Sequence, residues 1–299
     1  MAFNTVAILH PGEMGGAVGG ALSENGYDVI VCLENRSKVT LERAQSNALK
    51  NVGKIDSAIA EADIVLCIMP PEFGLVTAQQ VADAMRRTGC TPPYADCNAV
   101  APDTARQMAD VINAAGAKFI DGSIVGNPPG KGPKPTRFFV SGSDAKLMDE
   151  FDGVGISIKQ CGPEVGRGSA VKMCYAGITK GTSALHAALL IAAEGLGVAD
   201  ELFEELTYSQ EATLSRMERM TPALPAVSAR YIGEMREIAK TLASIGLTGA
   251  FHNGAADLYQ LMEKTPLADE IRETVDKDRT LRQTIEVCAE YLPTEKTTE

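Results

Sequence analysis

Residues 10–15 read His-Pro-Gly-Glu-Met-Gly. They follow the apolar run Val6–Leu9 and precede a stretch rich in Ala, Gly and Leu. A strand that enters a glycine-rich turn and continues as a helix is built to seat phosphate. Bare backbone lets an anion approach closely, and the first N–H groups of the helix point at it. The dinucleotide fingerprint is Gly-x-Gly-x-x-Gly. Here His10 takes the first glycine position. Gly12 stands where a pyrophosphate must come close, and Gly15 where helix and strand must pack. His10 has to turn the chain either without a positive φ or at a modest left-handed cost, which His tolerates comparatively well. Pro11 then fixes the next φ. His10, Pro11, Gly12, Glu13, Met14 and Gly15 are accordingly candidate cofactor residues. The alternative is a purely structural turn.

The end of the second strand selects the cofactor. Glu34 lies 19 residues past Gly15 (34 − 15), near the usual place of a carboxylate that grips a ribose 2′-hydroxyl. Asn35, Arg36, Ser37 and Lys38 follow it. Two cations and a hydroxyl suit a 2′-phosphate, which a facing carboxylate would repel. This reading favours NADP, with NAD as the alternative, and turns Glu34 away. The competing reading makes Arg36 and Lys38 ordinary solvated charges opening the next helix. Ligands of a doubly wound sheet bind at the carboxyl ends of its strands. Met69 and Pro70, ending the third apolar strand, and Asn98, following Asp96-Cys97, therefore reach the same rim. Asn98 serves either the nicotinamide side or as a helix cap near Pro102.

Two later segments carry groups for proton transfer and substrate recognition. "DGSIVGNPPGKGP", residues 121–133, is a strand end running into glycine-rich backbone of the kind that cradles an anion, or into a surface loop. "GRGSAVKMCYAGITKG", residues 166–181, places Lys172 in a helix pattern among Ala, Val and Met. Burying an ammonium is costly and lowers its pKa, which makes it a usable proton donor and acceptor. The alternative is a lysine that snorkels to solvent.

The elements that must position these residues alternate. Strand patterns at 5–9, 28–33, 63–69, 94–97, 117–121, 137–141 and 154–161 are interleaved with helix patterns at 14–25, 38–50, 72–87 and 102–115. Such alternation implies a mostly parallel sheet covered on both faces. Past Gly162 the character changes. One helix pattern runs from Gly166 to about Gly197, followed by others at 200–220, 226–245, 250–263 and 267–289. The expected fold is α/β: an N-terminal Rossmann doubly wound sheet over residues 1–162, then an all-helical domain over residues 163–299. A net charge of −11 argues against nucleic acid or an acidic membrane surface as partner. There is no apolar run long enough for a membrane span and no charged leader segment. Seven scattered cysteines without a Cys-x-x-Cys spacing read as reduced thiols, with no metal site. These features together lead us to expect a cytoplasmic protein.

At these residues the chain resembles the β-hydroxyacid dehydrogenase superfamily, which includes 3-hydroxyisobutyrate and 6-phosphogluconate dehydrogenases. The resemblance covers nearly the whole length. It is carried by Gly12, Met14 and Gly15, by the Asp63-x-Val65 strand, by Asp121–Gly126, and most specifically by Gly166-x-Gly168-x-x-x-Lys172. It implies that Lys172 is the general acid/base, that the substrate is a small hydroxy acid or a like alcohol or carbonyl, and that the chain forms a homodimer through its helical domain. It also implies a substrate segment at Ser123, Ile124, Val125 and Gly126. The chain departs from the family there. Val125 stands where the family has a substrate-binding serine, and Tyr175 and Ala176 replace two asparagines. Tyr175, Ser123 and Lys180 are candidates to take over those polar duties. Glu234, in the "RYIGEM" segment, is a further candidate on the substrate side. Details such as "HPGEMG" and "KMCYAGITKG" resemble a 6-phosphogluconate dehydrogenase-like branch with no assigned substrate. The altered site leaves two alternatives open: imine reduction, or dinucleotide binding without catalysis.

Overall fold

The computed structural model describes residues 3–271 and 274–293. Two compact units are formed, Met1–Cys174 and Tyr175–Glu299.

The first unit is built on eight strands: β1 (Thr5–Leu9), β2 (Asp28–Val31), β3 (Lys50–Asn51), β4 (Ile64–Cys67), β5 (Tyr94–Asp96), β6 (Phe119–Val125), β7 (Thr136–Ser141) and β8 (Ile156–Gln160). Their order is β3-β2-β1-β4-β5-β6-β7-β8. All neighbours are parallel except β6 and β7, which run antiparallel. The strand order reverses at β1, and the crevice at such a reversal is where an α/β sheet takes its ligand. Alternating side chains explain why both faces are covered. Val6 and Ile8 pack into one core with Val18, Leu22 and Leu66, while Ala7 and Leu9 pack into another with Val81, Met85 and Met108. The covering helices are α1 (Glu13–Glu24), α2 (Lys38–Ser46), α3 (Ile55–Glu61), α4 (Gly74–Thr88) and α5 (Pro102–Asn113).

Strand β3 and helix α3 lie outside the sequence reading, which ran one helix over 38–50. Helix α2 stops at Ser46. Ala48 takes a positive φ of 56°, and a two-residue strand follows. Helix α6 (Arg167–Ala176) starts the long helix seen in the sequence. The first unit runs past Gly162 into this helix because the first turn of α6 is tied to β6 and β7.

In the second unit the long helix continues through a π-helical turn at Gly177–Gly181 into α7 (Thr182–Gly195). Then come α8 (Ala199–Ser209), α9 (Glu211–Met220), α10 (Ser228–Ser244), α11 (Ala250–Glu263) and α12 (Leu281–Ala289). Two helices are shorter than their patterns. Gln210, with φ −138° and ψ 38°, splits the 200–220 pattern in two. Among its described residues the 267–289 pattern yields a 3-10 turn at Pro266–Asp269 and then α12, which Thr280 and Gln283 start afresh with a reciprocal capping box; residues 272–273 lie outside the described residues. Among the described residues no helix is long and apolar enough to cross a membrane.

Candidate dinucleotide cleft and lysine site

His10 takes the left-handed option, with φ of 66°. Its carbonyl accepts the Gly12 N–H at 2.8 Å, which closes the turn. Gly12 is the N-cap of α1 and has no side chain to fill the helix end. At Gly15 a β-carbon would stand 2.7 Å from the His10 carbonyl oxygen, so that position accepts only glycine without moving the turn. Pro11 is buried, while Glu13 and Met14 are half-buried in the first turn of α1. The carboxylate of Glu13 favours the helix but adds negative charge beside any bound anion.

The β2 end turns tightly. The Leu33 carbonyl accepts the Arg36 N–H, and Asn35 sits at φ 58°. This turn puts Glu34, Asn35 and Arg36 on one cleft of about 500 Å³ with Leu9, Gly53, Lys54, Thr77 and Gln80. Glu34 is thus not turned away; it lines the same cleft as Arg36. Ser37 and Lys38 part from Arg36. The Ser37 hydroxyl caps α2 by accepting the Thr40 N–H at 3.3 Å, and Lys38 pairs with Glu42 at 3.7 Å on the exposed face. Lys54 went unrecognised in the sequence. Its only signal was a cation directly after a turn glycine, and the short β3 that delivers it was not foreseen. Asn51, equally unrecognised, holds this rim by accepting the N–H groups of Leu33 and Gly53 through its side chain.

The Arg36 guanidinium donates to His10 Nδ1 at 3.4 Å, so a side-chain contact joins the glycine-rich turn to a residue that lines the cleft. Burial, and after it the charges of Arg36 and Arg43, hold the His10 imidazole below its usual pKa. A guanidinium can only donate, so the contact with Arg36 requires the imidazole tautomer whose Nδ1 carries no proton.

Asn98 is spent inside the protein. Its side-chain oxygen accepts the Met69 N–H at 2.6 Å, and its amide donates to Asp96 at 2.6 Å. It therefore straps the ends of β4 and β5 together. The helix it was considered to cap, α5, has Ala101 as N-cap. Pro70 leads into a 3-10 turn that opens α4, and the Thr77 hydroxyl contacts the Met69 sulfur at 3.2 Å.

Lys172 rests on a different construction. Asp121, fully buried in β6, accepts the hydroxyls of Ser141 at 2.7 Å and Ser169 at 2.6 Å. It also accepts the N–H groups of Gly166 at 2.9 Å and Ser169 at 3.1 Å. Gly166 has φ of 102°, and a β-carbon on Gly168 would lie 2.5 Å from the Phe139 carbonyl oxygen. The two glycines thus let the helix N-terminus press onto the sheet, and Asp121 pins it there. One turn further on, Lys172 is half-buried and its Nζ donates to the Ile124 carbonyl at 2.6 Å. Lys172 is therefore neither a snorkelling lysine nor an apolar core residue. Ser123 is buried and donates to the Asn98 carbonyl at 3.4 Å. Ile124 and Val125 are buried, and Gly126 is exposed with φ of 117°.

The second unit brings its own candidates together. Lys180, in the π-helical turn, pairs with the buried Glu234 of α10 and lies over the Tyr231 ring at 4.2 Å. Arg230 reaches Glu234 at 3.6 Å, and the Tyr259 hydroxyl donates to the Lys180 carbonyl at 2.8 Å. Tyr175 is half-exposed. His252 packs on the π-helical turn, where a β-carbon on Gly181 would meet its Nε2 at 2.7 Å.

The first unit fits a nicotinamide dinucleotide. An uncapped helix end follows a turn that admits only glycine at Gly15, and a polar cleft adjoins it at the reversal of strand order. The comparisons agree. Residues 5–152 match the NAD binding domain of 6-phosphogluconate dehydrogenase, and residues 193–262 match a domain of unknown function, DUF1932. An uncharacterized oxidoreductase from Synechocystis is 28% identical over 214 residues, covering 68% of this chain and 71% of that protein. The 3-hydroxyisobutyrate dehydrogenase of Pseudomonas aeruginosa is 26% identical over 176 residues, 56% of this chain and 57% of its own. Among solved structures, the conserved protein MTH1747, described as structurally similar to 3-hydroxyacid dehydrogenases, superposes with a TM-score of 0.62. It is 27% identical and covers 86% of this chain and 98% of its own. An imine reductase from Myxococcus stipitatus in complex with NADP+ shares the fold, with a TM-score of 0.56 at 20% identity, over 87% of this chain and 93% of its own. The chain thus joins an NAD-binding domain of the 6-phosphogluconate dehydrogenase type to a C-terminal DUF1932 domain, and its relatives support a dinucleotide-dependent oxidoreductase.

Proposed function

We propose that this protein is an NADP-preferring oxidoreductase interconverting a small hydroxy-acid-like alcohol and its carbonyl, with Lys172 as general acid/base. The observation that carries the reading is Lys172 Nζ held at the Ile124 carbonyl on a helix pinned by Asp121. When bound, the nicotinamide supplies or accepts the hydride. Lys172 moves the proton: in reduction its Nζ donates to the developing alkoxide, and in oxidation it takes the hydroxyl proton. The Ile124 carbonyl orients the ammonium from one side by accepting from Nζ. The backbone of residues 12–15 at the α1 N-terminus serves the pyrophosphate, and Arg36 serves the 2′-phosphate, with Lys54 adding positive charge to the same cleft. Within the second unit, Lys180, Arg230 and Glu234 form a charged cluster that belongs to the same proposal as a set of substrate-recognition residues, with Tyr175 as a further polar candidate. A homodimer belongs to the same proposal. Its support is the exposed apolar series Leu185, Leu189 and Leu196 on and just after α7, and light scattering at micromolar concentration tests it.

The deciding experiment is a screen of small 3-hydroxy acids and matching carbonyls with NADP(H), followed by Lys172→Ala on whichever substrate responds. The variant is expected to lose about 10²–10⁴-fold in kcat while its Kd for NADPH stays within about twofold. Unchanged turnover removes Lys172 from the chemistry. A panel of cyclic imines run beside the screen tests the imine-reductase alternative.

A further inference from the structure

The dinucleotide fingerprint places glycine at position 10 because the turn there needs a backbone that L-residues adopt reluctantly. This chain places histidine there and accepts φ of 66°. A residue held in a costly conformation calls for a compensating contact, and the imidazole makes one. Nδ1 lies 3.4 Å from a guanidinium nitrogen of Arg36, which lines the cleft. The opposite edge of the ring lies over Gly12, where a β-carbon would stand 3.3 Å from Nε2. A side chain at residue 12 would therefore crowd the ring by a few tenths of an ångström, which glycine avoids. Arg43 also bears on the ring electrostatically. Arg36 itself is exposed, and it stands on a turn made by Asn35 at φ 58°. A long cationic side chain there loses rotamer freedom when it engages a ligand. A neighbour that fixes one guanidinium nitrogen removes part of that cost and leaves the other N–H donors for a phosphate fork.

We propose that His10 is a positioning residue for cofactor selectivity: it holds Arg36 over the cleft, so that the turn seating the pyrophosphate also sets the group that reads the ribose phosphate. The inference rests on Arg36 serving a 2′-phosphate. It adds that the departure from the fingerprint at residue 10 is what couples the two ends of the site.

The test is a double-mutant cycle on the full chain. Wild type, His10→Gly, Arg36→Ala and the double variant are each titrated with NADPH and with NADH by fluorescence. His10→Gly restores the fingerprint glycine at a backbone angle that glycine prefers, so the turn is kept. It is expected to raise the Kd for NADPH about fivefold, the worth of one modest hydrogen bond, with the Kd for NADH within about twofold. In the Arg36→Ala background the same change should leave the NADPH-to-NADH ratio untouched. His10→Asn, which tolerates the same backbone and keeps a side-chain acceptor, should recover part of the selectivity. Parallel changes for both cofactors, or no change in either, overturn the role of His10 while leaving the NADP reading standing. A wild type that prefers NADH overturns the NADP reading, and the inference falls with it.

Discussion

Two helix N-termini in the first unit press against the sheet, and they are finished in opposite ways. Helix α6 receives the protein's own carboxylate: Asp121 accepts two backbone N–H groups and two hydroxyls at that end, all in the interior. Helix α1 begins at Gly12, which brings no side chain to cap its first turn. Both ends rest on glycines that let backbone meet backbone, Gly15 against the His10 carbonyl and Gly168 against the Phe139 carbonyl. The comparison teaches that a glycine-rich helix start is not by itself an anion site. At α6 the anion is built in and the gain is a rigid mount for Lys172. At α1 the N-cap is a glycine with no side-chain cap, the end that the proposed function assigns to the cofactor's pyrophosphate.

The largest expected effect breaks the α6 end. Asp121→Ala leaves Ser141, Gly166 and Ser169 with buried donors that have lost their acceptor. Each such loss costs on the order of 1–3 kcal/mol, and two or three of them approach the whole stability of a typical domain. The variant should unfold at a markedly lower temperature or accumulate as insoluble protein. Gly168→Ala is a gentler form of the same break. Its β-carbon has to displace the Phe139 carbonyl, so Tm should drop measurably, and turnover should fall with it because Lys172 rides on the same helix. By contrast, Gly15→Ala should abolish NADPH binding with a smaller loss of Tm. If the two alanine variants lost stability and binding in the same proportion, the division between a structural and a ligand-bearing helix end would be wrong.

How much of this was legible in the sequence follows from where the information lies. The strands were readable because Val, Ile, Leu and Cys form unbroken runs in a sheet buried on both faces, and Lys172 stood out as a charge in an apolar helix. Strand β3 and helix α3 were not readable. Two residues make no pattern, and "IDSAIAE" is too short for a helical period to show. The sequence could not say that Asn98 would be consumed by Met69 and Asp96, since those partners meet only once β4 and β5 pair. The same holds for Asp121, which is 45 residues from Gly166 and whose function as a helix anchor is purely tertiary. Arg36, Ser37 and Lys38 looked like one phosphate-binding set. A helix that starts immediately after Ser37 takes that hydroxyl for its cap and rotates Lys38 outward.

A smaller effect sharpens the comparison beneath the lysine mount. Asp96 and Asp121 are register partners on β5 and β6, both fully buried. Burial first, and the charge of Asp121 second, push the Asp96 carboxyl up to about 8. Between about pH 4 and 8 the folded chain keeps a proton there that the unfolded chain has released. Stability attributable to Asp96 is therefore present at low pH and is lost as pH rises through that window, by at most about 1.4 kcal/mol per unit. Asp96→Asn can still accept from Asn98 and has no proton to lose. Its Tm should gain on wild type as pH goes from 5 to 8, and parallel Tm curves would refute this titration.

The smallest effect sits in the cleft itself, where Glu34 and Arg36 line the same wall with opposite charges. Their opposite charges are exposed, so salt screens the interaction and single-charge changes move affinity only severalfold. The sign is the informative part. If Arg36 reads a 2′-phosphate, Glu34 is a repulsive neighbour, and Glu34→Gln should tighten NADPH severalfold at low salt, less at high salt, with little change for NADH. If Glu34 grips a ribose hydroxyl instead, the same substitution should weaken NADH and leave NADPH where it was. Because Glu34 lines the cleft in contact with solvent rather than packed in the core, the change should leave Tm unaltered. The two readings are then separated by ligand affinity alone, at the one position where the carboxylate and the guanidinium make opposite demands on the cofactor.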